Sequence, residues 1–258
     1  MLEMIPKKAP KKTGKNNNSR KFYNILGEDT PFSYVEAFKT LRTNFEFVTA
    51  VNDAKCVVVT SALPAESKST TAINLAMALA GNGHSVALVE CDLRRPILRR
   101  YMKMDRVTLD GEPKGLSALL AGTASLGECL CRVKKYGISV IMGGAIPPNP
   151  SELLNHERMQ IVLRVLKERF DYVILDAPPV TLVTDAAVLS KIADGVLLVI
   201  RSQHASAKTV SLAKQRLEDV NAKILGTVIT RFDVKKSGWR SGYDYENYEY
   251  GYGAKQKK

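Results

Sequence analysis

No apolar run in this 258-residue sequence approaches the roughly 18–20 residues that a membrane-crossing helix requires, so no span is expected. The first residues are polar and lysine-rich and lack the apolar stretch of a signal peptide, which argues against export by that route. Cysteine is scarce. Cys56, Cys91, Cys129 and Cys131 show no spacing typical of metal ligands, and Cys56 and Cys91 lie inside apolar runs, where a thiol acts as a small hydrophobe. Reduced thiols in a cytoplasmic protein are the simplest account. Acid is nearly missing from the first 21 positions. There Lys7, Lys8, Lys11, Lys12, Lys15, Arg20 and Lys21 stand against Glu3 alone, which places half of the formal net charge of +12 in this segment. Pro6, Pro10, Gly14 and Asn16 to Asn18 intervene, and disorder is expected. No aromatic residue is interleaved with these lysines, which disfavours single-stranded nucleic acid. An anionic membrane surface, worth roughly 1 kcal/mol per basic residue, comes first; a solubilising tail with no partner is the competing reading.

Hydrophobic residues make up 45% of the chain, as in a soluble globular domain. Six short apolar runs recur: Cys56–Thr60, Val86–Cys91, Ile138–Met142, Tyr172–Leu175, Val196–Ile200 and Ile224–Ile229. They are continuous rather than alternating, which predicts strands buried on both faces of a parallel sheet. Between them lie stripes with helical spacing, one of Ala72, Leu75, Ala76, Leu79 and Ala80, another of Met159, Val162, Leu163, Leu166 and Phe170. Alternating strands and helices give an α/β class with a doubly wound, mostly parallel sheet. The expected organisation is a disordered basic segment over 1–30, one nucleotide-binding domain over 31–234, and a flexible tail over 235–258.

In such sheets ligands bind at the carboxyl ends of the strands. The first strand there runs into Ala62-Leu63-Pro64-Ala65-Glu66-Ser67-Lys68-Ser69-Thr70 and then a helix. A strand, a short loop, Lys-Ser/Thr and a helix is the plan of a P-loop, in which backbone N–H groups and the helix dipole hold phosphates. By that plan Ala65 to Thr70 cradle the phosphates of ATP, Lys68 reaches them and Ser69 binds Mg²⁺. The general pattern asks for glycine at 62 and 67, where this loop has Ala62 and Ser67, so a chance Lys-Ser pair stays open on the loop alone. Two further strand ends favour the nucleotide. One closes in Glu90-Cys91-Asp92, the other in Asp176, and acids directly after buried apolar strands are costly unless they meet a cation or cap a helix. At the other end of the sequence Tyr243, Tyr245, Tyr248, Tyr250 and Tyr252 fall within ten residues, half of all ten tyrosines, among Gly, Asp, Glu and Asn. Without aliphatic partners this reads as an exposed tail rather than a strand.

Together these residues resemble the bacterial tyrosine kinases of capsule and exopolysaccharide synthesis, in the soluble form that lacks a fused transmembrane regulator. The likeness spans residues 34 to 253. It is carried by Glu36-Ala-Phe-Lys-Thr-Leu-Arg42, the loop through Lys68-Ser69-Thr70-Thr71, Val89-Glu90-Cys91-Asp92-Leu93-Arg94-Arg95-Pro96, and Gly115-Leu116-Ser117. It continues through Gly144-Ala-Ile-Pro-Pro-Asn-Pro-Ser-Glu-Leu153, Asp176-Ala-Pro-Pro179, Thr184-Asp185-Ala186, Leu225-Gly226 and the tyrosine tail.

The resemblance implies an ATP- and Mg²⁺-dependent protein-tyrosine autokinase. Lys68, Asp92 and Asp176 would be catalytic, and Ser69, Glu90, Asp92 and Asp176 would form the metal site. Asp92 would serve as base toward the incoming tyrosine, and the five tail tyrosines would be phosphoacceptors presented by a neighbouring subunit. Glu36, Lys39 and Arg42 would join subunits into a ring, with lysine where the family usually has arginine. Implied partners are a transmembrane chain-length regulator that activates the kinase, further copies of the chain and a phosphotyrosine phosphatase. No nucleic acid is expected. The implied location is the cytoplasm, peripheral at the inner face of the cell membrane. Departures are Ala65 and Ser67 in place of two loop glycines, and Thr230 where the family has an adenine-contacting asparagine. A pseudokinase scaffold of the same system and a partition ATPase of the ParA/MinD kind stay open. The latter typically carries a second lysine early in the loop, and there is none between Ala62 and Ser67.

Overall fold

The computed structural model describes residues 25–104 and 114–232. Seven strands form one sheet: β1 (Cys56–Ser61), β2 (Val86–Glu90), β3 (Leu130–Val133), β4 (Ile138–Ile141), β5 (Tyr172–Asp176), β6 (Gly195–Arg201) and β7 (Ile224–Thr230), in the spatial order β3-β4-β2-β5-β1-β6-β7. All neighbours are parallel except β3 and β4. The six predicted strands are present within a residue or two of their expected limits. The seventh, β3, was not anticipated. It is a four-residue antiparallel edge strand, half-buried along most of its length, and carries neither a continuous apolar run nor a clean alternation.

Five of the six continuous runs arise because helices cover both faces; the sixth, β7, is an edge strand that is half-buried with Ile229 exposed, so its expected burial on both faces does not hold. Along a strand successive side chains point to opposite sides. Val57 and Val59 therefore join the cluster that contains Phe45 of α1 (Phe32–Val51), Ile73, Leu75 and Leu79 of α2 (Lys68–Gly81), and Leu98 of α3 (Leu98–Tyr101). Val58 between them joins the opposite cluster. That cluster gathers residues of α4 (Leu116–Ala121), α5 (Leu126–Cys129), α6 (Pro150–Asn155), α7 (Glu157–Arg169), α8 (Asp185–Ser190) and α9 (Ala207–Glu218). Each fully buried Val or Leu stabilises the fold by about 1.5–3 kcal/mol, which is why these two faces dominate. The predicted stripes on α2 and α7 are buried at Ala72, Leu75, Ala76, Leu79 and at Met159, Val162, Leu163, Leu166. Asn74 interrupts the first stripe. It accepts from the Leu26 N–H at 2.9 Å and donates to the Tyr34 hydroxyl at 3.2 Å, so it ties the entry of the chain to α2.

From β1 the chain works outward to one side through β2 and β4, returns through β5 between β1 and β2, and then crosses to β6 and β7 on the other side. The reversal brings the carboxyl ends of β1, β2 and β5 together. In register, Glu90 pairs with Asp176 and Asp176 with Val59. A ligand crevice is expected at such a switch point.

Candidate functional site

The loop from Ala62 to Ser67 turns from β1 into α2 without a glycine. It nonetheless adopts the left-handed backbone that glycine would favour, with φ of 62° at Ala65 and 71° at Ser67. A non-glycine residue held there costs on the order of 1–3 kcal/mol. The loop is tied on several sides. The buried Glu66 carboxylate accepts from the Leu63 N–H at 2.7 Å and from the Arg201 N–H at 3.2 Å. The Thr230 hydroxyl donates to the Glu66 carbonyl at 2.9 Å. His204 Nε2 lies 3.0 Å from the Pro64 carbonyl, and the Thr181 hydroxyl donates to the Ala62 carbonyl.

The first residue of α2 points Lys68 across the strand ends. Its Nζ donates to Asp92 Oδ2 at 3.1 Å, to Ser69 Oγ at 3.2 Å and to Asp176 Oδ1 at 3.5 Å. Burial alone would push the Lys68 ammonium down. The charges and hydrogen bonds of Asp176 and Asp92 outweigh it and hold the amine protonated, above the ordinary lysine value. Asp176 is fully buried. Burial raises its carboxyl above the usual range, against the pull of Lys68 and a Ser69 hydrogen bond. Asp92 keeps one oxygen on the Arg95 N–H at 3.1 Å, and its side chain is 10% exposed where that of Asp176 is 0%. Four sequence-predicted residues, Lys68, Ser69, Asp92 and Asp176, thus meet.

Three oxygens matter for a cation. Asp176 Oδ2 is buried with no hydrogen-bond partner, and an orphaned buried carboxylate oxygen is free to accept a water or a cation. Ser69 Oγ and Asp92 Oδ2 lie within the same cluster. Among the described residues no three His, Cys, Asp or Glu side chains gather as a metal cage. Few protein oxygens with room for phosphate and water suit Mg²⁺, which dehydrates reluctantly, so the donor set fits that ion. Glu90 does not join this group. Its Oε1 accepts from the N–H groups of Ile97 and Leu98, the latter at 2.7 Å, and its Oε2 from Gly143 N–H at 2.8 Å. Burial pushes its carboxyl up, and these backbone bonds oppose the shift. Glu90 therefore stitches β2 to the start of α3 and to the end of β4.

Other expected residues fall elsewhere. Arg94 grips buried Asp185 at the start of α8 through two hydrogen bonds of 2.9 and 3.1 Å, and Ser151 Oγ joins the same carboxylate. On α1, Lys39 pairs with Glu36 at 2.7 Å and Arg42 Nε lies 3.9 Å from Glu46. The tail tyrosines Tyr243 to Tyr252 and residues 1–24 of the basic segment lie outside the described residues; of the remainder, Ile25 packs on the core and the Leu26 N–H is held by Asn74. The side-chain roles of Glu66 and Asp185 were missed from sequence. An acid inside a loop and an acid opening a helix are ordinary surface features until long-range partners are known.

An AAA domain model matches residues 55–228. Tyrosine-protein kinase YwqD of Bacillus subtilis is 34% identical over 232 residues, covering 90% of this chain and 94% of that protein. Tyrosine-protein kinase CpsD of Streptococcus agalactiae is 34% identical over 213 residues, 83% of this chain and 89% of that one. The kinase domain of the Escherichia coli tyrosine kinase ETK superposes with a TM-score of 0.73 at 32% identity, covering 89% of each chain. With its mostly parallel sheet, its P-loop and a match that runs nearly end to end, the chain belongs to the bacterial tyrosine-protein kinase family.

Proposed function

We propose that this chain is an ATP-dependent protein-tyrosine kinase that phosphorylates its own tyrosine cluster, Tyr243, Tyr245, Tyr248, Tyr250 and Tyr252, on a neighbouring copy. The observation that carries the reading is Lys68 held between Asp92 and Asp176, with one oxygen of Asp176 buried and unpartnered. Ala65 to Thr70 would cradle the phosphates of ATP at the start of α2. Ser69, Asp92 and Asp176 would hold Mg²⁺, which when bound neutralises phosphate charge. Catalysis of phosphoryl transfer is mostly positioning and charge neutralisation. Lys68, kept protonated, supplies a positive charge at a fixed place. Asp92 is the more accessible of the two acids, so it is the one to accept or orient the tyrosine proton; buried Asp176 is fixed and unable to follow a substrate.

The partners follow from this role. Copies would join through α1, with Glu36, Lys39 and Arg42 turning from their contacts within the helix toward a neighbour. Each phosphate adds about −1.5 to −2 charges near neutral pH, so a heavily phosphorylated tail repels its neighbours and loosens the ring. Among the described residues no helix is long and apolar enough to cross a membrane. A transmembrane chain-length regulator of capsular or exopolysaccharide synthesis and export would recruit and activate the chain, assisted by the basic segment over 1–30. A phosphotyrosine phosphatase would reset it. The test is incubation of the full chain with ATP and Mg²⁺, with and without the membrane regulator, followed by mass-spectrometric mapping. Phosphotyrosine on 243–252 is expected. ATP hydrolysis without phosphotyrosine in both conditions would point to a partition-type ATPase instead.

A further inference from the structure

We propose that Glu66 is a positioning residue that holds the phosphate loop in its curled form, in place of the glycines missing at positions 65 and 67. Residues in the left-handed region persist only where their surroundings over-determine them. Glu66 sits between the two, at φ of 62° for Ala65 and 71° for Ser67. Its carboxylate spans the loop, from the Leu63 N–H on the near side to the Arg201 N–H at the end of β6. Its carbonyl is fixed from the end of β7 by the Thr230 hydroxyl. Arg201 adds a guanidinium contact to the Ala65 carbonyl at 3.4 Å. The loop is thus clamped from β6 and β7, on the side of β1 away from Asp92 and Asp176, and Lys68 follows two residues later. Glu66 is 0% exposed and both of its oxygens are occupied, so it acts on nucleotide only through the loop it holds. Thr230, the position at which the family has an adenine contact, here serves the loop.

The inference rests on the nucleotide reading of this loop and adds to it the reason why the loop functions without glycine. A carboxylate offers an acceptor to each of two N–H groups. Glutamine, nearly the same shape, offers one acceptor and turns an NH₂ group toward the other donor. Binding of a fluorescent ATP analogue with Mg²⁺ to the full chain is measured for the unmutated protein, Glu66→Gln, the double Ala65→Gly/Ser67→Gly variant, and the triple variant. Melting without nucleotide is recorded alongside. Glu66→Gln is expected to weaken binding roughly tenfold in the natural loop and by less than about threefold when both glycines are present, because glycine removes the strain the clamp opposes. Thr230→Val, a milder change at a half-buried hydroxyl, is expected to weaken binding about threefold in the natural loop and keeps the test open if Glu66→Gln does not fold. Unchanged affinity in Glu66→Gln and Thr230→Val overturns the proposal, as does an equal loss with and without the glycines. Absence of binding by the unmutated protein would instead overturn the nucleotide reading itself.

Discussion

Lys68→Met is expected to remove tyrosine phosphorylation, lowering its rate by about 10³-fold or more, equivalent to roughly 4 kcal/mol of transition-state stabilisation. Methionine keeps most of the length and the apolar stem of lysine but carries no charge, and the two carboxylates that Lys68 bridges at 3.1 and 3.5 Å lose their cation. Removing one partner from a buried ion pair can cost about 3–5 kcal/mol when the remaining charge is stranded. Here the acids have a way out. Burial already raises the Asp176 carboxyl, and without Lys68 nothing comparable opposes it, so the folded variant takes up a proton. A carboxyl whose folded pKa lies above its unfolded value stabilises the protein as pH falls through the folded value. Melting of Lys68→Met should therefore rise as pH falls through the raised Asp176 value toward the ordinary carboxylate range. The unmutated protein, whose Lys68 is protonated across that window, should show the smaller dependence. Phosphotyrosine immunoblotting and melting curves against pH check the two halves of this prediction.

Asp92→Asn should lower the rate of phosphotyrosine formation by about 10²–10⁴-fold while changing ATP affinity by only about threefold. Asparagine retains an oxygen that can accept from the Arg95 N–H, which Asp92 Oδ1 now does at 3.1 Å, so local structure should survive. The charge and the basic oxygen facing Lys68 are what is lost. Asp176→Asn is the contrasting case. It removes a fully buried carboxylate from beside Ser69 and Lys68, and both nucleotide affinity and turnover should fall. Separate measurement of rate and of half-saturation by ATP distinguishes an acid that serves the tyrosine as well as the metal, with Ser69 and Asp176 still able to hold the ion in its absence, from one that serves the phosphates and their metal alone.

Much of this site is legible in the chain because its residues follow strands that helices bury on both faces. Val57, Val58 and Val59 form an unbroken run only because successive side chains enter opposite cores, and the same rule marks β2 and β5 and so points to Asp92 and Asp176. Glu90 obeys that rule and still lies apart. An acid at a strand end can be satisfied by the N–H groups at the start of a helix as readily as by a cation, and α3 begins eight residues later. Strand β3 escaped notice because a short, half-buried edge strand carries too little pattern. The clamp on the phosphate loop was illegible for a different reason. Arg201 and Thr230 are 135 and 164 residues from Glu66, and only the order of strands in the sheet brings them to it. The missing glycines at 65 and 67 were plain in the sequence, but whether the loop could curl without them depended on those distant partners.

Transfer between copies is the centre of the account, and one mixture tests it. The Lys68→Met chain, with its tail intact, is combined with a chain whose site is intact but whose five tail tyrosines are phenylalanine, in the presence of the membrane regulator, ATP and Mg²⁺. The account predicts phosphotyrosine at Tyr243–Tyr252 of the Lys68→Met chain in the mixture and none with either protein alone. A mixture that leaves that chain unlabelled, under conditions in which the unmutated protein labels its own tail, would contradict it.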